Sequence, residues 1–135
     1  MFTVTRVMPA IQAANVDDCV LWWRRVLGFS LIESEVDEAG LKSALVRKDA
    51  CELMVERADP TSVYGASVLV VEVESVVELE RALGSEVRVL SRRKGALGAT
   101  EFGVRDPAGT LVIFVEPPYE AAAATPKNIE VRWLG

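Results

Sequence analysis

The sequence contains no histidine. That removes the side chain most often used as a neutral metal ligand and as a general base near pH 7, and much familiar enzymology goes with it. Cysteine is almost as scarce. Cys19 and Cys51 form no CxxC pair and read as small hydrophobes of a reducing compartment, neither disulfide partners nor nucleophiles. No apolar run approaches the roughly 20 residues a membrane-spanning helix needs. The first residues, Met1 to Arg6, lack the basic start, apolar stretch and small-residue cleavage site of a secretory signal, so a cytoplasmic location is expected. Positive charge is also short and dispersed: 15 Lys and Arg stand against 20 Asp and Glu, a formal charge of −5. Apart from Arg92-Arg93-Lys94 nothing forms a stripe that would track a phosphate backbone, and nucleic acid is excluded as a partner.

What is present is a chain of 135 residues, 50% hydrophobic, long enough to bury one continuous core. Its first part predicts a strand from Val4 to Ala13, a helix from Asp17 to Leu27, and strands near Phe29 to Val36, Leu41 to Arg47 and Cys51 to Arg57. In the helix Val16, Cys19, Val20, Trp23, Val26 and Leu27 make one stripe of helical period, with Asn15 as the cap and Gly28 as the stop. The second part repeats the order. A strand from Ala66 to Val73 leads to Ser75-Val76-Val77-Glu78, a capping-box pattern, and a helix that ends at Gly84. Strands follow near Glu86 to Ser91, Thr100 to Arg105 and Thr110 to Glu116. The chain therefore reads as a duplicated βαβββ unit, with a first module over about residues 1–60, a second over about 64–117, and a C-terminal extension over 118–135 carrying a terminal strand from Ile129 to Leu134.

Two segments resemble a known superfamily. The run from Val16 to Phe29, with an acidic start, the pair Trp22-Trp23 and a closing Leu27-Gly28-Phe29, is similar to the first helix of the glyoxalase/bleomycin-resistance (vicinal oxygen chelate) proteins. The run from Glu101 to Glu116, with its Asp106-Pro107-Ala108-Gly109 turn and apolar strand, resembles the last hairpin of the bleomycin-resistance branch. The resemblance implies an α+β fold of two βαβββ modules whose curled mixed sheets surround a cavity. It also implies a homodimer, since relatives pair modules from two chains, and apolar Ile129, Val131, Trp133 and Leu134 seek cover.

Metal-dependent members of the superfamily place His, Gln or Glu at positions that fall here on Met8, on Ser67 or Val68, on Glu52 or Met54, and on Ile113. Only Glu52 among these is an ordinary ligand of a divalent ion, and one carboxylate does not hold a catalytic metal. No metal and no cofactor is expected. The resemblance with the metal positions vacated implies a non-catalytic binding or sequestering protein for a small molecule such as an antibiotic. Its pocket is expected on the concave side of the sheets, lined by Met8, Glu52, Met54, Phe102 and Ile113, with Tyr64 and Trp133 near the mouth. Glu52 reads as a partner for a cationic group of the ligand or as part of a solvated face, while Phe102 and Tyr64 read equally as core. Trp23, in the stripe, reads as core. Where drug-sequestering relatives carry Trp-Gly this chain has Leu97-Gly98, which argues against bleomycin itself. The alternative is a metal-independent enzyme, lyase-like or isomerase-like, with Glu52, Glu101 or Asp106 as acid or base.

Overall fold

The computed structural model describes residues 1–59, 67–85, 87–94 and 100–117. Within them the chain runs β1 (Ala10–Ala13), α1 (Val16–Arg25), β2 (Ser30–Asp37), β3 (Gly40–Lys48) and β4 (Cys51–Arg57). It then repeats as β5 (Val68–Glu72), α2 (Val76–Leu83), β6 (Ser91–Lys94), β7 (Thr100–Arg105) and β8 (Leu111–Glu116). The sheets have the same internal order, β1-β4-β3-β2 and β5-β8-β7-β6. In each the first pair is parallel and the others antiparallel. The fold is α+β with mixed sheets.

Local chemistry explains the helices. Asn15 accepts a hydrogen bond from the Asp18 amide at 3.0 Å, Asp17 and Asp18 sit at the positive end of α1, and Arg24 and Arg25 at its negative end. Val16, Cys19, Val20 and Trp23 are buried, as the stripe requires. At α2 Ser75 accepts from the Glu78 amide at 3.1 Å, and the Val76 amide donates at 2.8 Å to Glu116 Oε1 of β8. A carboxylate from the far end of the module thus helps cap this helix.

Two expected strands are displaced. β1 begins at Ala10 rather than Val4, and residues 1–9 carry no regular structure. In the parallel register Ala10 lies opposite Met54, so β4, which starts at Cys51, offers no partner to the earliest residues, and Pro9 has no amide to donate. β6 lies at Ser91–Lys94 rather than near Glu86, because its partners in β7 are Thr100 to Gly103. Tyr64, Leu97-Gly98, Trp133 and the C-terminal extension lie outside the described residues.

One buried cluster joins the modules, from Ile11, Val16, Trp23 and Val55 to Phe102, Val104, Val112 and Phe114. Asp106, 5% exposed, locks them together. Its Oδ1 accepts from the amides of Ala108 and Thr110 at 2.9 and 2.8 Å, shaping the β7–β8 turn. Its Oδ2 accepts from Trp23 Nε1 at 2.9 Å and from Cys19 Sγ at 3.5 Å, both on α1. The turn motif and the helix motif are therefore two halves of one hydrogen-bonded joint. Pro107 and Gly109, the latter at φ 86, let the chain reverse over it.

Candidate ligand-binding face

Each sheet turns one face to the buried cluster and one away from it. On β4, Leu53 and Val55 are buried, so Glu52, Met54 and Glu56 point the other way. Across the β3–β4 pair they lie opposite Arg47, Leu45 and Ser43. On β8, Val112 and Phe114 face the core, leaving Leu111, Ile113 and Val115 on the outer face in register with Val68, Val70 and Glu72 of β5. Val68 and Val70 are 58% and 67% exposed, so along β5 and β8 the outer face of the second sheet carries an apolar strip.

Glu52 is the most constrained group on the first outer face. Its Oε1 accepts from Arg47 Nη2 at 3.1 Å, and its Oε2 lies 3.2 Å from Arg6 Nη1. The Arg6 contact is coulombic, without hydrogen-bond geometry, and Oε2 is buried. Side-chain exposure is 13% for Glu52 against 52% for Arg6 and 42% for Arg47. The carboxylate is sunk between two guanidinium groups. Set against the ligand positions implied by the resemblance, Met8 and Ile113 bring a thioether and a hydrocarbon, and Glu52 faces cations. That donor set does not fit a divalent ion. Among the described residues no three His, Cys, Asp or Glu side chains gather in a metal-holding group.

Beside this cluster lies a hollow of about 530 Å³ with Met54 among its walls, bounded by Glu35, Lys42, Ser43, Glu56, Arg57 and Asp59. Arg57 is committed elsewhere, to both carboxylate oxygens of Asp37 and to the Leu41 carbonyl at 3.1 Å. Those bonds, with the Ala39 amide, hold the Asp37 carboxyl down to about 2.

The expected lining is only partly brought together. Met54 lines the hollow; Met8, half-buried, precedes Pro9, whose carbonyl accepts from the Met54 amide at 2.9 Å. Ile113 belongs to the other sheet, and the hollow over Met54 does not include it. Of its two readings, pocket wall and core, Phe102 takes the second. It is 1% exposed on the core side of β7, its ring 5.3 Å from Phe114, because strand alternation puts it opposite in facing to Glu101 and Gly103. Glu52, read as a partner for a cationic ligand group or as part of a solvated face, is instead held by two arginines. Among the alternative acids, Asp106 is filled by turn and helix donors. The Cys19 thiol beside it is pushed up to about 12, by burial first and by the Asp106 charge second, and is no nucleophile.

Sequence reasoning missed Arg6 and Arg47. Arg47 had a signal: with Asp49-Ala50 as a two-residue turn, Lys48 pairs Cys51 and Arg47 must face Glu52. Arg6, in an irregular segment, had none.

Neither a protein-family model nor a curated protein matches the sequence. Solved structures do share its architecture. TnmS3, an antibiotic binding protein from Streptomyces sp. CB03234, superposes with a TM-score of 0.72 at 15% identity, over 87% of this chain and 100% of its own. The bleomycin resistance determinant encoded on the transposon Tn5 gives 0.68 at 14% identity, over 84% and 98%. Lactoylglutathione lyase from Agrobacterium tumefaciens gives 0.66 at 19% identity, over 84% and 94%. The two sheets of identical order, each with its helix on the core side, are thus the glyoxalase/bleomycin-resistance fold.

Proposed function

We propose that this chain is a non-catalytic small-molecule binding protein of the antibiotic-sequestering kind, acting in the cytoplasm without a metal. The observation that carries the reading is the fate of Glu52: the one carboxylate at a ligand position of the metal-dependent relatives is neutralised by Arg6 and Arg47, beside an open hollow with Met54 in its wall. A thioether is suited to an adaptable wall. The names of TnmS3 and of the Tn5 determinant support the class, as does the shared fold.

The site is completed by a second copy. Met54 and Ile113 lie on different sheets, both facing away from the core, and pairing two chains lays the apolar Val70–Ile113 face of one over the Met54 face of the other. This returns Met8, Met54 and Ile113 to one volume shared between subunits. A thermal-shift screen against antibiotics and metabolites tests the function. A ligand present at 100 times its Kd stabilises the native state by about 2.7 kcal/mol. Ile113→Trp is expected to abolish that shift with the fold intact, and unfolding by Ile113→Trp would make the position core and overturn its role.

A further inference from the structure

The Arg6–Glu52–Arg47 cluster has a chemistry of its own. Two guanidinium groups around one carboxylate leave one net positive charge. Together they carry about ten N–H donors, and a carboxylate has only about four acceptor positions, so Glu52 cannot satisfy both. Exposure sorts the charges by depth: the carboxylate is 13% exposed and the guanidiniums 52% and 42%. What the outer face presents at this end is therefore the arginine side, with the acid beneath it as a strut. Met54 is the next residue of β4 on the same face, and Leu45 lies opposite it. Glu56, the nearest acid along that face of β4, lies roughly 13 Å along the strand from Glu52.

We propose that Arg6 and Arg47 form an oxyanion-binding fork on the outer face, and that the molecule bound here is an amphipathic anion. Its carboxylate, sulfonate or phosphate lies on the guanidiniums and its apolar body on Met54, in the wall of the hollow. The proposal rests on the outer face being the binding face. Charge-assisted bonds from an arginine pair are short and strong, and their geometry matches two-oxygen anions. The overall charge of −5 repels anions only at long range and is screened beyond about 10 Å at 0.1 M salt. A cationic group would instead meet two exposed guanidiniums while the only carboxylate of the cluster lies below them.

The test uses naphthalene-2-carboxylate and 2-naphthylmethylammonium, which share a ring and differ in charge, titrated against the full chain and followed by probe fluorescence. The carboxylate is expected to bind at least about tenfold more tightly, and Arg47→Gln to remove about tenfold of that affinity. Glu52→Gln, which keeps the side chain's shape and frees both guanidiniums, is expected to tighten the carboxylate severalfold and leave the ammonium no better bound. Equal or tighter binding of the ammonium, or a carboxylate affinity indifferent to Arg47→Gln and Glu52→Gln, overturns the anion assignment and leaves the face a binding site. Saturable binding of neither probe overturns both.

Discussion

Asp106 shows how much one side chain can organise. It sits where the resemblance places a turn residue, yet half of its hydrogen bonding goes to α1, and the four donors around it come from both modules. Asp106→Ala leaves Trp23 Nε1 and two turn amides unpaired in a buried place, so a loss of about 3 kcal/mol is expected in urea unfolding. A loss below about 1 kcal/mol would show that water replaces the carboxylate without cost. Asp37 works at the surface and through charge. Its carboxyl lies near 2 in the fold against 3.8 ordinarily, lowered chiefly by Arg57. A depressed carboxyl stabilises above its unfolded value and loses that contribution as pH falls. The advantage of the native protein over Asp37→Asn is thus expected to be complete above about pH 5, to fall as pH drops through about 2, and to be gone by about pH 1. Denaturant midpoints across that range check it, and an undiminished difference at pH 2 would contradict it.

At the scale of elements, the turn of the β2–β3 hairpin is tied to α1 by a hydrogen bond, over a core the two share. Asp17 Oδ2 accepts from the Leu41 amide at 3.0 Å, and Gly40, at φ 113, leaves the space: a Cβ there would stand 2.6 Å from that oxygen. Gly40→Ala is expected to cost about 2 kcal/mol, from backbone strain and from displacing Asp17, measured as a drop in the denaturation midpoint. Legibility in the sequence followed the same logic of local against distant causes. β4 and β7 fall on the expected residues, and α1 and α2 start beside their expected caps, because period and cap chemistry are local. β1 and β6 moved because their limits are set by partners in other strands. The candidate site divides the same way. Strand alternation gave the shared facing of Glu52 and Met54, the resemblance gave Ile113, and the burial of β7 decides Phe102, read equally as wall and core, for the core. The arginines escaped notice because their importance lies in convergence on Glu52, which only the register of β3 and the path of residues before β1 reveal.

In the whole molecule each sheet leaves an outer face turned away from the core. Val68 and Val70 leave an apolar strip open, and no helix among the described residues is long and apolar enough to cross a membrane and bury it there. A second copy is the proposed cover, since closed two-fold pairing is the commonest assembly. Light scattering at micromolar concentration is expected to give a dimer, and Val70→Lys a folded monomer, whereas a monomeric native protein would contradict the pairing. The central claim is that binding, not metal chemistry, is what this face does. It is tested most directly by calorimetric titration of chelator-treated protein with the strongest ligand from the thermal-shift screen, with and without added Zn²⁺. Saturable binding of equal affinity in both conditions is the predicted result. Binding that appears only once Zn²⁺ is restored, with near one metal per chain, would contradict it.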